Sequence, residues 1–195
     1  LAVPLLQSVA PEALQALDLY ATDTSICAQL LHILPKCVNL VTVALSGYLQ
    51  DEELISVLEM CPQIEHLDIS GAWRITDACA ATIARALMGL QSLNVSRLSF
   101  SDILLDELAE HCAGTLQSLN VELCYDMTDA GINNLLQRCS KLRTLHFSFA
   151  SGLGNDLSYE LMQNLTTLVM HCGLHPFPAL ESVSLHCQKL MHVEI

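Results

Sequence analysis

The sequence is poor in positive charge and in aromatic residues. It has 8 Lys and Arg against 21 Asp and Glu, a formal net charge of −13 at pH 7, and 5% aromatic residues. A protein that binds nucleic acid needs a basic surface to displace the counterions of the phosphates. We therefore expect no nucleic-acid partner, and we interpret the local group Arg138, Lys141 and Arg143 as solvated surface.

Long apolar runs and catalytic motifs are missing as well. The longest stretch without Asp, Glu, Lys or Arg, residues 161–180, is interrupted by Gln, Asn, Thr, His and Pro. No membrane-spanning segment and no membrane partner are therefore predicted. The sequence contains no glycine-rich phosphate loop, no nucleophile elbow and no Ser-His-Asp spacing. We expect a protein that is not an enzyme, has no catalytic residues and carries no cofactor.

What the sequence does contain is a repeated apolar pattern. In residues 116–142 an LxxLxL segment is followed by the pair Thr128-Asp129, which opens an amphipathic run that ends at Cys139. The pattern opens eight times, at spacings of 26, 24, 26, 26, 26, 23 and 25 residues. The openings are Leu14, Leu40, Ile64, Leu90, Leu116, Leu142, Leu165 and Leu190. An LxxLxL core at this period is the strand signature of a leucine-rich repeat.

This period predicts an α/β fold. We expect a right-handed leucine-rich-repeat solenoid, or horseshoe, with parallel β-strands on the concave face and α-helices on the convex face. No linker or break in composition divides the chain. The prediction is one domain, residues 1–195, with about seven full repeats and a partial repeat at each end, as a segment of a larger protein.

Side chains alternate along a strand, so each repeat should direct one apolar pair into the core. The predicted pairs are Leu17/Leu19, Val43/Leu45, Leu67/Ile69, Leu93/Val95, Leu119/Val121, Leu145/Phe147, Leu168/Met170 and Val193/Ile195. Helices are predicted between the strands, among them residues 26–34, 77–87, 156–162 and 179–187. Acidic residues gather where these helices begin, and a carboxylate there complements the helix dipole.

The nine cysteines are not predicted to form disulfides or zinc sites, because their number is odd and no CxxC occurs. In several repeats a Cys stands three or four residues before the opening, where Leu87 and Met162 stand in others. A position that accepts Cys, Leu and Met is an apolar packing site. We expect buried, reduced thiols, no metal site, and a cytoplasmic or nuclear location. The cysteines at this position are Cys37, Cys61, Cys112, Cys139 and Cys187.

Three features resemble the cysteine-containing class of leucine-rich repeats, best known from F-box proteins. They are the Cys before the leading Leu, Cys124 after the strand, and the Thr-Asp segments at residues 75–77 and 127–132. In that family the repeats recruit substrates to Skp1–cullin–F-box ubiquitin ligases. The resemblance implies a substrate-recruiting domain that reaches Skp1 and a cullin through an F-box segment with no counterpart in this sequence. Five repeats depart from the pattern at the Cys124 position: they have Thr22, Tyr48, Ala72, Leu98 and Ala150.

Stacked repeats should align the outward strand residues in three columns. The central column is Asp18, Ala44, Asp68, Asn94, Asn120, His146, Val169 and Glu194. The column before it is Ala16, Thr42, His66, Ser92, Ser118, Thr144, Thr167 and His192. The column after it is Tyr20, Ser46, Ser70, Ser96, Glu122, Ser148 and His171.

These columns hold no Lys or Arg, so we predict a protein partner with a basic or polar surface. The predicted binding residues are Asp18, Tyr20, His66, Asp68, Ser70, Asn94, Ser96, Asn120, Glu122, His146 and His171. A metal site built from His146, His171 and His192 is disfavoured, because diagonal neighbours on a sheet are ~7–8 Å apart. Trp73, the only Trp, lies in a turn and is interpreted as edge packing, with a binding site as the alternative.

Two functions remain open. The chain is either the substrate-recruiting domain of an F-box-type ubiquitin ligase receptor or a non-catalytic scaffold subunit of a stable multiprotein assembly. In either case these repeats could also be a spacer whose neighbouring repeats bind the partner.

Overall fold

Eight parallel strands form one sheet in chain order. The computed structural model describes residues 10–21, 32–148, 156–171 and 177–194, with the backbone alone at residues 20, 21 and 177–180. The strands are β1 (Ala16–Ala21), β2 (Thr42–Gly47), β3 (His66–Asp68), β4 (Ser92–Asn94), β5 (Ser118–Val121), β6 (Thr144–Ser148), β7 (Thr167–His171) and β8 (His192–Glu194). The predicted parallel sheet of a repeat solenoid is confirmed.

The strand register follows the sequence repeat. Asp18 pairs with Ala44, which pairs with Asp68, and the same position continues through all eight strands. The predicted inward pairs of β1 to β7 are 0–5% exposed, as a sheet with one buried face requires. The last pair differs: Val193 in β8 is 43% exposed. Ile195 lies outside the described residues.

Helices pack behind the sheet. The α-helices are α1 (Asp51–Met60), α2 (Ala80–Ala86), α3 (Asp102–His111), α4 (Asp129–Arg138) and α5 (Phe177–His186), and 3₁₀ turns occupy Pro11–Ala13, Leu34–Lys36, Asp77–Cys79 and Tyr159–Met162. Each of α1 to α4 buries one apolar stripe, such as Leu104, Leu105 and Leu108 in α3. The strand face and these stripes form a continuous core. No helix among the described residues is long and apolar enough to cross a bilayer.

Two predicted helices are wrong in type. The helix predicted over residues 156–162 is a single 3₁₀ turn, because that repeat spans 23 residues instead of 26 and has too few for α-helical turns. The helix predicted from residue 77 begins as a 3₁₀ turn and becomes α-helical at Ala80. Most of the helix predicted over residues 26–34 lies outside the described residues.

Aspartates at the helix starts connect neighbouring repeats. Asp51 accepts hydrogen bonds from the backbone N–H (2.8 Å) and hydroxyl (2.7 Å) of Thr76. Asp77 accepts the same pair from Ser101, at 3.0 and 2.6 Å. We call the set Asp51, Asp77, Asp102 and Asp129 the carboxylate ladder.

The ladder continues through the next two repeats. Asp102 accepts from the N–H (2.8 Å) and hydroxyl (2.6 Å) of Thr128, and Asp129 accepts from the N–H of Asp156 at 2.9 Å. Thr76, Ser101 and Thr128 each also cap the helix that follows them. One hydroxyl oxygen thus accepts from its own helix while its proton is donated to the aspartate of the preceding repeat. The predicted interaction with the helix dipole explains only part of why these residues are acidic.

Gly131 makes room for the ladder. A Cβ atom at this position would collide with the Asp102 carboxyl group and would lie 2.9 Å from a methyl carbon of Leu105. The Thr-Asp-Ala-Gly segment therefore needs Thr128 to donate to Asp102, Asp129 to accept from the next repeat, and Gly131 to leave space.

A row of thiols lies where the helical segments end, whereas the carboxylate ladder lies where they begin. The Sγ of Cys112 lies 3.5 Å from the carbonyl oxygen of Ala84, and that of Cys61 lies 3.9 Å from the carbonyl of Leu34. Cys187 similarly reaches the carbonyl of Tyr159 at 3.8 Å. A buried S–H is a weak donor, so each of these cysteines gives the carbonyl oxygen a contact that Leu or Met could not make. The prediction of buried, unpaired thiols is confirmed for the seven described cysteines: Cys37, Cys61, Cys79, Cys112, Cys124, Cys139 and Cys187.

The first prediction concerns the ladder. Asp102→Ala removes both hydrogen bonds to Thr128, and we expect the free energy of unfolding to fall by about 2 kcal/mol, since hydrogen bonds to charged groups are the stronger ones. The measurement is urea unfolding followed by circular dichroism. Glu110→Ala in the same helix is the control and should change stability by less than about 0.5 kcal/mol. Equal effects of the two variants would contradict the role of Asp102.

The second prediction concerns the thiols. Burial raises the pKa of Cys61, Cys124 and Cys139 to about 11 and that of Cys112 to about 12, against an ordinary value of 9.0. At pH 8 they should react with iodoacetamide only when the chain unfolds, because the thiolate is the reactive form. Peptide mapping by mass spectrometry reads each cysteine, and guanidinium-unfolded protein gives full labelling as reference.

Fast labelling of Cys61, Cys112, Cys124 or Cys139 in native protein would refute the prediction that these thiols are unreactive in the folded chain.

The raised pKa of these thiols also determines how their contribution to stability changes with pH. The folded state holds these protons more tightly than the unfolded state, so their contribution is present below about pH 9 and is lost as pH rises through about 11.

Candidate protein-binding surface

The sheet face opposite the helices carries a shallow cavity of about 390 Å³. It spans β2 to β6, and its polar lining comes from the central column and from the column before it. The lining residues are Thr42, Val43, Ala44, His66, Leu67, Asp68, Ser92, Leu93, Asn94, Ser118, Asn120 and His146. We call this surface the groove. Because no Lys or Arg lines it, its only permanent charge is the carboxylate of Asp68.

Three residues of the central column hold the turns that follow their strands. The side-chain oxygens of Asp68, Asn94 and Asn120 accept the backbone N–H two residues ahead, at 2.8, 3.1 and 2.9 Å. This is the local bond of an Asx turn. Asn94 also donates to the second carboxylate oxygen of Asp68 at 2.9 Å. These side chains are therefore structural groups, and only part of their hydrogen-bonding capacity faces a partner.

The groove unites five of the predicted binding residues: His66, Asp68, Asn94, Asn120 and His146. Asp18 is exposed on β1, outside the groove. Tyr20 pairs with Ser46 in the backbone register of β1 and β2, and its side chain is not among the described parts of the structure. His171, at the end of β7, is also outside the groove lining. The predicted binding residues, drawn from three columns, are thus divided between a central cavity and outlying positions.

The predicted third column is only partly a strand column. Ser70, Ser96 and Glu122 lie in turns, because β3, β4 and β5 end before them. Ser96 was predicted to face outward but is only 9% exposed, since its turn folds back onto the Asn94 side chain.

Two other positions predicted to face outward are also buried. Ser148 is 6% exposed, and its hydroxyl accepts the N–H of Leu123 at 3.2 Å. Val169, in the central column, is 5% exposed, which suits an apolar side chain. Neither offers a contact to a partner.

Glu122, directly after β5, contacts one side chain of β5 and one of β7. One of its carboxylate oxygens lies 2.7 Å from Nε2 of His171, and the other accepts from the amide of Asn120 at 3.3 Å. The Glu122 and His171 side chains are 21% and 51% exposed. A partner that contacts this end of the face meets a carboxylate already shared with a histidine.

The described residues contain no group of three or more His, Cys, Asp or Glu side chains that could hold a metal ion. His146 and His171 are in different columns, two residues apart in register. The two imidazoles therefore do not lie opposite each other on neighbouring strands.

An aromatic cluster is the feature that the sequence pattern did not reveal. The rings of Tyr48 and Trp73 meet edge to face, with centroids 5.7 Å apart, and the Arg74 guanidinium covers both rings. A signal was available, since Trp73 and Tyr48 occupy consecutive strand-to-helix turns. The spacing between these repeats is 24 and not 26 residues, which obscured their alignment.

The parallel sheet, the helices behind it and the repeat register are those of a leucine-rich-repeat solenoid.

The chain is similar in sequence to known proteins. The chain is 30% identical over 122 residues to Coronatine-insensitive protein 1 of Arabidopsis thaliana, a match covering 58% of this chain and 20% of the relative. It is 27% identical over 126 residues to the Arabidopsis BTB/POZ domain-containing protein FBL11, covering 58% of the chain and 13% of that protein. The chain thus spans a fifth or less of these relatives. No family model matches it.

Solved structures show the same fold. The structure of yeast Rad7 in complex with Elc1 aligns with a TM-score of 0.53 at 18% identity, covering 83% of this chain and 50% of that one. An internalin (inlF) of Listeria monocytogenes aligns with a TM-score of 0.53 at 14% identity, covering 98% and 66%. At these identities the likeness concerns the fold.

Proposed function

We propose that the chain is the substrate-recruiting domain of an F-box-type ubiquitin ligase receptor and that a basic or polar protein segment lies across the groove. The observation that supports this most directly is the groove itself. It is open, of about 390 Å³, and contains a carboxylate but no cation. A Lys or Arg of a partner would find in Asp68 an acceptor that no described cation already neutralises.

The shape of the groove favours an extended segment. Small side chains (Ala44, Ser92 and Ser118) line its floor and leave room for a partner's backbone. Adjacent strands are ~4.8 Å apart, so the five strands of the groove extend for about 19 Å. This length fits roughly six residues of an extended chain.

The ligase role is supported by the resemblance to cysteine-containing repeats of F-box proteins. For a chain of this class with unpaired thiols, we also propose a cytoplasmic or nuclear location. The scaffold alternative has its own support, since the Rad7 structure with the same fold is a complex with a second protein, Elc1.

The third prediction tests the groove. Ala44→Arg, Ser92→Arg and Ser118→Arg, introduced together, place cations in the groove and leave the turn-holding side chains Asp68, Asn94 and Asn120 intact. We expect a groove partner to lose at least ~10-fold in affinity, because like charges now face each other. Full-length protein is purified from cells by affinity, and captured proteins are quantified by mass spectrometry.

Gln137→Arg, on the exposed side of α4, is the matched control and should leave capture unchanged. Skp1 and a cullin should appear with all variants, since they bind elsewhere, while substrates disappear only with the groove variant. Absence of Skp1 and cullin would refute the ligase role and favour a scaffold. A capture profile unaffected by the three Arg residues would refute the groove as the binding surface.

A further inference from the structure

Exposed aromatic side chains lie at the strand-to-helix turns of three of four consecutive repeats. Trp73 is 58% exposed, Tyr125 63% and Tyr48 42%. The whole chain has only 9 aromatic residues, namely 1 Trp, 4 Tyr and 4 Phe. Solvent exposure of large rings is unfavourable, and Trp, Tyr and Arg are the residues that dominate protein interfaces.

Arg74 is held in place by this cluster. Its guanidinium carbon lies 4.7 Å from the centre of the Trp73 ring and 5.3 Å from that of Tyr48. Both distances are within the range of a cation–π interaction. These contacts restrict the guanidinium group, although the Arg74 side chain is exposed to solvent. A carboxylate could therefore bind Arg74 with little further loss of side-chain freedom.

A second arginine lies on the same edge. Arg97, Ser99, Tyr125 and Asp126 line a cavity of about 390 Å³. The turns are joined edge to edge, because Thr76, two residues after Arg74, bridges to Ser99. The aromatic cluster and the Arg97 cavity therefore form one continuous strip.

The backbone of Arg97 is strained. Its φ is 67°, in the left-handed region, where the equivalent turns of the two preceding repeats have Gly47 (88°) and Gly71 (73°). The left-handed conformation is unfavourable for a residue with a side chain, and such strain tends to persist at functional sites. The next repeat has Leu123 in the same conformation (59°), so Arg97 adopts a turn geometry shared by these repeats without the glycine that fits it best.

Among the described residues, neither Arg74 nor Arg97 forms an ion pair. Arg85 pairs with Glu107, whereas no carboxylate of the described residues lies within 4.0 Å of Arg74 or Arg97. Asp77, three residues after Arg74, and Asp51, which accepts from Thr76, each already accept two hydrogen bonds in the carboxylate ladder.

We propose that this strip, which we call the arginine–aromatic edge (Tyr48, Trp73, Arg74, Arg97 and Tyr125), binds an acidic segment of a protein partner. The Arg74 and Arg97 guanidiniums bind Glu or Asp carboxylates, and the rings pack against apolar side chains between them. The edge is opposite in charge to the groove, so it takes a different segment. Asp126 lines the same cavity as Arg97 and repels an acidic ligand. The carboxylates of the ligand therefore lie toward the two arginines.

Trp73 reports on the edge directly, because it is the only Trp of the chain. The probes are a short synthetic peptide of Glu and Leu and its counterpart with Lys in place of Glu. We expect the Glu peptide to shift Trp73 emission in a saturable way that weakens as NaCl is added, and the Lys peptide to leave the emission unchanged. Arg74→Gln and Arg97→Gln together should weaken binding at least ~10-fold, while Asp126→Asn should strengthen it.

Two further variants separate binding from folding. Arg97→Gly should raise Tm, since it relieves the backbone strain, and should still lower affinity for the Glu peptide. Arg138→Gln, at the end of α4, should bind as the unmodified chain does. The groove variant with Arg at positions 44, 92 and 118 should also bind normally, so the edge and the groove can fail independently.

Three results would overturn the proposal. One is Trp73 emission that the Glu peptide does not change; another is equal binding of the Glu peptide by the double Gln variant. The third is a shift caused by phosphatidylserine vesicles but not by the Glu peptide, which would assign the edge to an anionic membrane surface.

Discussion

The hydrogen bonds between the first helical residue of one repeat and the cap of the next repeat fix how the repeats stack. In a solenoid each repeat contacts only its neighbours, so the geometry of one junction is propagated along the chain. Apolar contacts across the core are tolerant of small rotations, whereas a carboxylate that accepts both an N–H and an O–H from one residue is not. Asp51, Asp77 and Asp102 make this paired contact at three successive junctions.

Side-chain hydrogen bonds to the backbone also shape the sheet face. Asp68, Asn94 and Asn120 look like binding groups in the sequence, but their first task is to hold the turns at the strand ends. What remains for a partner is the small-residue floor of the groove and the unused lone pairs of Asp68. The turns thus held carry the exposed rings of Trp73 and Tyr125. The two proposed surfaces therefore depend on one set of local hydrogen bonds.

The fold could be predicted because the repeat is a regular spacing of apolar residues. LxxLxL patterns fixed the register of all eight strands, since a shift of one residue would expose every core side chain. The type of the helix over residues 156–162 was wrong because its period is the shortest in the chain, and backbone geometry there depends on residue count more than on composition.

The site was less predictable for a different reason. Side-chain hydrogen bonds between repeats, such as Thr128 to Asp102, join residues 26 positions apart. An Asp-x-Ser or Asn-x-Ser pattern after a strand would have indicated the Asx turns at Asp68 and Asn94. The contact of Tyr48 with Trp73 depends on ring orientation, which the pattern does not specify.

Hydrogen exchange of the ladder amides tests the central claim most directly. Thr76, Ser101 and Thr128 lie at turns where a backbone N–H would ordinarily exchange with water quickly, yet each donates to a buttressing carboxylate. By NMR, we expect these amides to exchange as slowly as those of the adjacent strands and to open together with them. Exchange at the rate of an unstructured peptide, while the strand amides remain protected, would show that the ladder does not hold the repeats together.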